Sequence, residues 1–303
     1  MALLFLSTPE REAVWRPIFE AAGERFIAGE DAVTDPDEVT HLMCWLPPQD
    51  LLRYPNLKVV IGAGAGVDHM PRMPEGVALV RTLAPGIDEM VRDWVVMATL
   101  MLHRDMPIYV QQARAGQWKS HAVPRARGTC VGIMGAGRIG ALAARTLSDM
   151  QFDVVCWSRS GRAVAGAKVF AESGLDDFLA QADILVCLLP LTDETRGILN
   201  TALFAKLPRG ACLVHAGRGA QLDMDALRQA LDDGVLSSAM LDVTDPEPLP
   251  EDHWTWNDHR VFVTPHIAAN TDHEEGARHA LAVIQASREN AELPGKVDQD
   301  RGY

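Results

Sequence analysis

The chain lacks a paired-cysteine pattern. Its five cysteines (Cys44, Cys130, Cys156, Cys187 and Cys212) are odd in number, and no two form a CxxC pair. Each stands in or beside an apolar run, which fits buried free thiols in a reducing compartment better than disulfides or zinc ligation. Basic residues are also few: 28 Lys and Arg face 41 Asp and Glu, a formal charge of −13. Nucleic acid and anionic membranes must be met by clustered cations, so neither is expected as a partner. Long hydrophobic runs are missing too. The longest apolar stretch without a charge lies between Asp93 and His103, well under the ~20 residues of a membrane span. The opening MALLFLSTPE has no basic leader and reads as a first strand. With no short repeat or low-complexity tract, the expectation is a soluble, cytoplasmic globular protein.

What is present is apolar substance in a regular pattern. Hydrophobic residues make up 48% of 303 positions, enough for about two domains. Short apolar runs alternate with helical patterns, the signature of βα units and parallel sheets. Strand candidates in the first third are ALLFLS (2–7), HLMCWL (41–46), LKVVIG (57–62) and VALVRTL (77–83). A helical stretch from Asp88 to Gln117 should be broken or bent by Pro107. The polar PRARG at 124–128 reads as a domain passage. Then come TCVGIMG (129–135), DVVCWSR (153–159), DILVCLLPL (183–191), ACLVHAG (211–217), LSSAMLDV (236–243) and VFVTPHI (261–267). A helix over 222–234 should stop at Gly234, and a last one should run from about Asp272 to Asn290. The expected class is α/β, with two Rossmann-like doubly wound parallel-sheet domains and a cleft between them.

VGIMGAGRIGALAARTL carries Gly135, Gly137 and Gly140 in GxGxxG spacing, after a strand and opening an alanine-rich helix. Such glycines permit a tight turn, close approach of backbone to a pyrophosphate, and close helix–strand packing. IGAGAGVD at 61–68 is glycine-rich as well, but has Val67 where the last glycine would stand. It reads either as a backbone N–H nest for a small anion or as a plain tight turn. Eighteen residues after Gly140, where NAD-binding domains place an acidic residue on the ribose 2′-hydroxyl, stands Ser158, followed by Arg159. A hydroxyl and a guanidinium would bind a 2′-phosphate that a carboxylate repels. Unless Arg159 and Arg162 are only solvated loop cations, NADPH is expected over NADH.

HAGRGA (215–220), DVTDPEPLP (242–250) and TPHIAA (264–269) follow or end predicted parallel strands, where an open α/β sheet places ligand groups. Reduction of a ketone needs a proton donor at the oxygen, a role that suits histidine, and His266 is the candidate. Glu247 could hold its ring protonated, and Arg218 could grip a substrate carboxylate with its planar fork. Each also has a plain reading: a structural histidine, a solvated loop carboxylate, a turn cation.

The ordered motifs GAGRIG, LLPLTDETRGILN, AGRGAQLDMDAL, AMLDVTDPEPLP and TPHIAA resemble the D-isomer-specific 2-hydroxyacid dehydrogenase family from about residue 129 to 270. The Arg of the RG pair and the Glu of the EP pair stand 29 apart, as 218 and 247 do here, and the histidine follows in a PH pair. The resemblance implies Arg218, Glu247 and His266 as the active-site trio and a substrate-carboxylate loop at Ala65 and Gly66. The cofactor set it implies is Gly135, Gly137, Arg138, Ile139, Gly140, Ser158, Arg159, Ser160, Leu189, Pro190 and Asp242, the last near the nicotinamide carboxamide, with no metal. It also implies a discontinuous substrate domain of residues 1–98 and 272–303 around a dinucleotide-binding domain of residues 99–271. Within the family, WSRSGR, MCWLPP, AMLDV and VDQDRGY look most like the glyoxylate/hydroxypyruvate reductase A type. That implies a homodimer reducing small 2-oxo acids with NADPH. Trp45 is then either a wall of a small substrate pocket or a strand-end core aromatic. A reductase of bulkier 2-oxo acids and a dinucleotide-sensing interaction protein are the alternatives. Two departures stand out: His215 replaces the usual asparagine, and Arg92 and Asp93 replace an AE pair.

Overall fold

The fold was read from a computed structural model that describes residues 1–122 and 124–300; the last three residues of the VDQDRGY tail lie outside the described residues. The chain divides into two compact units, Met1–Ile87 with Asn270–Tyr303, and Asp88–Ala269. The PRARG segment falls inside the second.

In the first unit β1 (Ala2–Leu6), β2 (Arg25–Ala28), β3 (Val39–Cys44), β4 (Val59–Gly62) and β5 (Ala78–Arg81) form a sheet in the order β2-β1-β3-β4-β5. The second holds β6 (Cys130–Met134), β7 (Asp153–Trp157), β8 (Lys168–Phe170), β9 (Ile184–Cys187), β10 (Ala211–His215), β11 (Leu236–Leu241) and β12 (Val261–Val263), in the order β12-β11-β10-β9-β6-β7-β8. Every pair in both sheets is parallel. The described helices are α1 (Pro9–Ala21), α2 (Pro85–His103), α3 (Met106–Arg114), α4 (Arg138–Asp149), α5 (Leu175–Leu179), α6 (Thr201–Phe204), α7 (Met224–Asp232) and α8 (His273–Arg288). None among the described residues is long and apolar enough to cross a membrane.

The expected strands are all present; most are shorter than their apolar runs, because the strand ends at the loop that carries the polar residues, while β3 keeps six residues but starts two earlier, at Val39. β2 and β8 were not foreseen. Both are sheet edges of four and three residues, and an edge strand buries one flank at most, so its apolar signal is weak. Proline acts where expected: α2 stops at His103, the chain turns through Asp105 at φ 52°, and Pro107 becomes the second residue of α3. A proline ring inside a continuous helix would meet the carbonyl four residues back.

Core formation follows the same logic in each unit. β3 is buried along its whole length, as a parallel strand covered on both faces must be. The N-cap of α8 is Asp272, accepting from the Glu275 N–H at 2.9 Å. Its small residues Ala277 and Ala280 join Trp15 and Phe19 of α1 over Leu3 and Phe5 of β1. All five cysteines are free, and burial pushes the thiols of Cys44, Cys156 and Cys187 up to about 12.

Two buried histidines make stability depend on pH. Burial lowers His41 in β3 to about 4, helped by the cations Lys58 and Arg288. Burial also lowers His215 at the end of β10 to about 4, against the raising influence of the Arg218 and Cys187 carbonyls. The folded rings therefore stay neutral in a range where the unfolded chain takes up protons, near pH 6.5 and below. Stability is full above pH 6.5 and is lost as pH falls toward 4, by about 2 kcal/mol per ring between pH 7 and pH 5. Urea titrations at pH 7 and 5 check this, and His41→Leu should remove the share belonging to the first unit. Equal midpoints at both pH values for the unaltered chain would contradict it.

Candidate active site

The strand order of the second sheet reverses direction at β6, with β7 and β8 on one side and β9 through β12 on the other. Ligands of open α/β sheets bind at such a switch point, beyond the carboxyl ends of the strands. The glycine turn between β6 and α4 lies there. Gly135 has φ 102°, and a Cβ on it would come within 2.8 Å of the Leu188 carbonyl oxygen, so the turn and the loop after β9 are in direct contact. A Cβ on Gly140 would overlap the Gly135 carbonyl, whereas one on Gly137 would meet no atom within 4 Å. Gly137 thus keeps space open that the protein itself does not fill. It is also the N-cap of α4 and offers no side-chain acceptor, leaving the first N–H groups of a twelve-residue helix available to an anion. These residues fit a dinucleotide pyrophosphate.

The end of β7 fits the adenosine side. Ser158 Oγ is buried and has no hydrogen-bond partner among the described residues, an unusual state for a buried hydroxyl. The Arg159 guanidinium is half-exposed beside it, 3.9 Å from Glu194, and Ser160 Oγ accepts from the Arg162 N–H at 3.4 Å. Leu189 is buried and Pro190 exposed in the loop after β9. Ile139, half-buried, follows Arg138 in the first turn of α4. Arg138 directs its guanidinium elsewhere: Nε and Nη2 both meet the Asp88 carboxylate, at 2.8 and 2.9 Å. Its contribution to an anion at this turn is therefore its backbone.

Arg218, Glu247 and His266 follow β10, β11 and β12, three adjacent parallel strands. His266 Nδ1 lies 2.8 Å from Glu247 Oε2, and the other carboxylate oxygen accepts from the Thr244 N–H at 3.0 Å. With Nδ1 occupied, Nε2 is the ring nitrogen left for a ligand. His266 sits at φ 52°, a conformation costing a non-glycine residue on the order of 1–2 kcal/mol. Such strain persists only where the surroundings enforce it. Asp242 does so: its carbonyl accepts the His266 N–H at 2.9 Å, and its buried carboxylate accepts from Thr264 Oγ1, Ile267 N and Ala268 N at 2.5, 2.9 and 2.8 Å. Trp94 Nε1 in turn donates to Thr264 Oγ1 at 3.2 Å. The carboxylate of Asp242 is thus the organiser of the histidine loop.

Arg218 is half-buried, and its Nη1 donates to the Gly217 carbonyl at 2.7 Å. A Cβ on Gly219 would overlap the Thr244 carbonyl, so the arginine turn is pressed against the loop that carries Glu247. Sequence reasoning passed over Gln221, Thr244, Thr264 and Trp94. Their types are ordinary for their segments, and only tertiary contact reveals what they hold.

Trp45, Ala65 and Gly66 belong to the other unit. Among the described residues the N–H groups of Ala65 and Gly66 make no hydrogen bond within the protein, as a nest for an anion requires. The Trp45 ring lies over Gly64 and stacks on His69 at 3.9 Å, 14° from parallel, while His69 Nε2 meets the Trp45 carbonyl at 2.9 Å. Trp45 is 56% exposed and so is not a core aromatic.

Comparison with known proteins agrees with this geometry. A family model described as D-isomer specific 2-hydroxyacid dehydrogenase, NAD binding domain, matches residues 96–268. A D-isomer specific 2-hydroxyacid dehydrogenase of Xanthobacter autotrophicus Py2, solved with NADPH and MES, is similar at 35% identity and a TM-score of 0.94, over 100% of this chain and 99% of that one. An NADPH-dependent glyoxylate/hydroxypyruvate reductase of Sinorhizobium meliloti, solved with NADP and sulfate, is similar at 36% identity and a TM-score of 0.91, over 100% of both chains. A probable 2-hydroxyacid dehydrogenase of Rhizobium etli CFN 42, solved with NADP, HEPES and L(+)-tartaric acid, gives 34% and 0.93, over 100% and 99%. The chain belongs to the D-isomer specific 2-hydroxyacid dehydrogenase family and is a nicotinamide-dependent oxidoreductase.

Proposed function

We propose that the protein reduces small 2-oxo acids, of the glyoxylate and hydroxypyruvate class, to 2-hydroxy acids with NADPH. The observation that carries this reading is the His266–Glu247 pair at 2.8 Å, with His266 held at φ 52°. When bound, the reduced nicotinamide supplies a hydride to C2 of the substrate. His266 Nε2 gives its proton to the oxygen that becomes the hydroxyl, and Glu247 stabilises the imidazolium before transfer. Arg218 holds the substrate carboxylate and polarises the carbonyl. The N–H groups of Ala65 and Gly66, without an acceptor among the described residues, suit a small carboxylate, with exposed Trp45 near them on the same unit. In this reading the Ala65 unit is the substrate domain and the glycine-turn unit the dinucleotide-binding domain. Buried Ser158 Oγ and adjacent Arg159 support NADPH over NADH, as do the NADPH and NADP complexes of the relatives. The protein works as a cytoplasmic homodimer, for which exposed Met97 and Met106 of α2 and α3 offer apolar surface.

The test is a kcat/KM survey of 2-oxo acids from glyoxylate to phenylpyruvate, with each cofactor, followed at the reduced-nicotinamide absorbance. Highest values for the shortest acids with NADPH are expected. A preference for phenylpyruvate would refute the small pocket, and NADPH binding with negligible turnover of every acid would indicate a sensor.

A further inference from the structure

Gln221 is completely buried, and both ends of its amide are in use. Oε1 accepts the Arg218 N–H at 2.8 Å. Nε2 donates to the Pro190 carbonyl at 2.9 Å, the Leu189 carbonyl at 3.2 Å and Thr195 Oγ1 at 3.4 Å. The partners fix which end is which, because an N–H can only donate and a carbonyl can only accept. The Arg218 carbonyl is held as well, by the Gln221 N–H at 3.0 Å and His215 Nε2 at 2.9 Å. Thr195 Oγ1 also donates to the Pro190 carbonyl at 2.7 Å, so the loop after β9 and the arginine turn share one hydrogen-bonded unit. That loop is the one pressed against Gly135 at the switch point.

We infer that Gln221 is a positioning residue that couples the Leu189–Pro190 loop to Arg218, so that filling the dinucleotide site tightens the grip of Arg218 on the 2-oxo acid. The inference rests on the roles proposed above for these two segments. A dinucleotide settling against Leu189 and Pro190 restricts their carbonyls. The amide, bonded to both, transmits that restriction to the Arg218 peptide. By linkage, substrate held by Arg218 must strengthen cofactor binding by the same factor. Cofactor-first binding would follow, because the substrate meets an ordered arginine only after the dinucleotide is in place.

Gln221→Met keeps the length and volume of the side chain and removes all five of its hydrogen bonds, the long one from Cys187 Sγ to Oε1 at 4.0 Å included. Steady-state kinetics are combined with hydrogen exchange of the peptide 216–222, with and without NADPH. In the unaltered protein NADPH should slow exchange of this peptide. In Gln221→Met that slowing should vanish and KM for glyoxylate should rise about tenfold, with kcat changed less and NADPH affinity within about threefold. Retention of the NADPH-dependent slowing and of KM overturns the inference. Equal loss of NADPH binding, KM and thermal stability also overturns it, since a plain scaffold residue behaves so. If Gln221→Met fails to fold, Thr195→Val, which removes one amide contact, the hydroxyl bond to Pro190 and the acceptor of the Thr192 N–H, should show the same pattern at about threefold. Absence of slowing in the unaltered protein refutes the coupling whatever the turnover. Slowing without turnover of any 2-oxo acid refutes the catalytic reading and leaves the coupling standing.

Discussion

His266→Gln should lower kcat by about 10²- to 10⁴-fold with glyoxylate or hydroxypyruvate, while NADPH affinity and thermal stability stay near those of the unaltered protein. The size follows from the loss of a positioned proton donor, since solvent must then protonate the developing alkoxide. The selectivity of the effect follows from the site. A glutamine amide can still donate to Glu247 Oε2, now 2.8 Å from Nδ1, so the carboxylate is not stranded. The loop conformation is held from outside the side chain, by the Asp242 carbonyl on the His266 N–H and by the Asp242 carboxylate on Thr264, Ile267 and Ala268. Glutamine would meet the same φ of 52° at a similar cost. Stopped-flow and steady-state rates, with cofactor titration by fluorescence, check the three parts separately. Unchanged turnover in a folded, NADPH-binding variant would remove His266 from the mechanism.

The parts of this site that could be read in the sequence are those where one residue type answers one physical need. Gly135 and Gly140 were legible because the turn leaves no room for a Cβ at either. Ser158 was legible because a fixed distance from the glycines brings it to the end of β7. Place after successive strands and family resemblance pointed to the trio, and the fold sets His266 Nδ1 2.8 Å from Glu247 Oε2. Gln221 was not legible, because its meaning depends on Leu189, Pro190 and Arg218 meeting in space, up to 32 positions away. The work of Asp242 was only half visible. The family resemblance put it near the nicotinamide, whereas its carboxylate in the fold holds the TPHIAA turn. Arg138 shows the limit from the other side: the resemblance put it in the cofactor set, yet Asp88 takes its guanidinium. Apolar runs betrayed the central strands β3, β6, β9 and β10 and the edges β5 and β12, but not the edges β2 and β8, where Arg25 and Lys168 shorten the run.

The combined substitution Ser158→Asp with Arg159→Ala should reverse cofactor choice, cutting the ratio of kcat/KM for NADPH over NADH by about 10²-fold or more. Each charge-assisted hydrogen bond to a 2′-phosphate contributes roughly 1.5–3 kcal/mol, so loss of one alone changes the ratio about ten- to hundredfold. The introduced carboxylate adds repulsion toward the phosphate and gives the 2′-hydroxyl of NADH an acceptor. The local structure favours a clean outcome. Ser158 Oγ has no partner among the described residues to lose, and the Ser158 backbone is held by its N–H on the Phe170 carbonyl at 3.1 Å, which the substitution leaves alone. The Arg159–Glu194 pair, at 3.9 Å with both side chains at least half exposed, adds little to stability, as exposed pairs at such distances do. Salt offers a second measure. On the proposed reading, the preference for NADPH should weaken as ionic strength rises, since its source would be a charge on a partly exposed guanidinium, and that of the variant should not. A ratio unchanged by the substitution, with the hydride still transferred, would mean that the 2′-phosphate is read by other groups and that Arg159 and Arg162 are solvated loop cations.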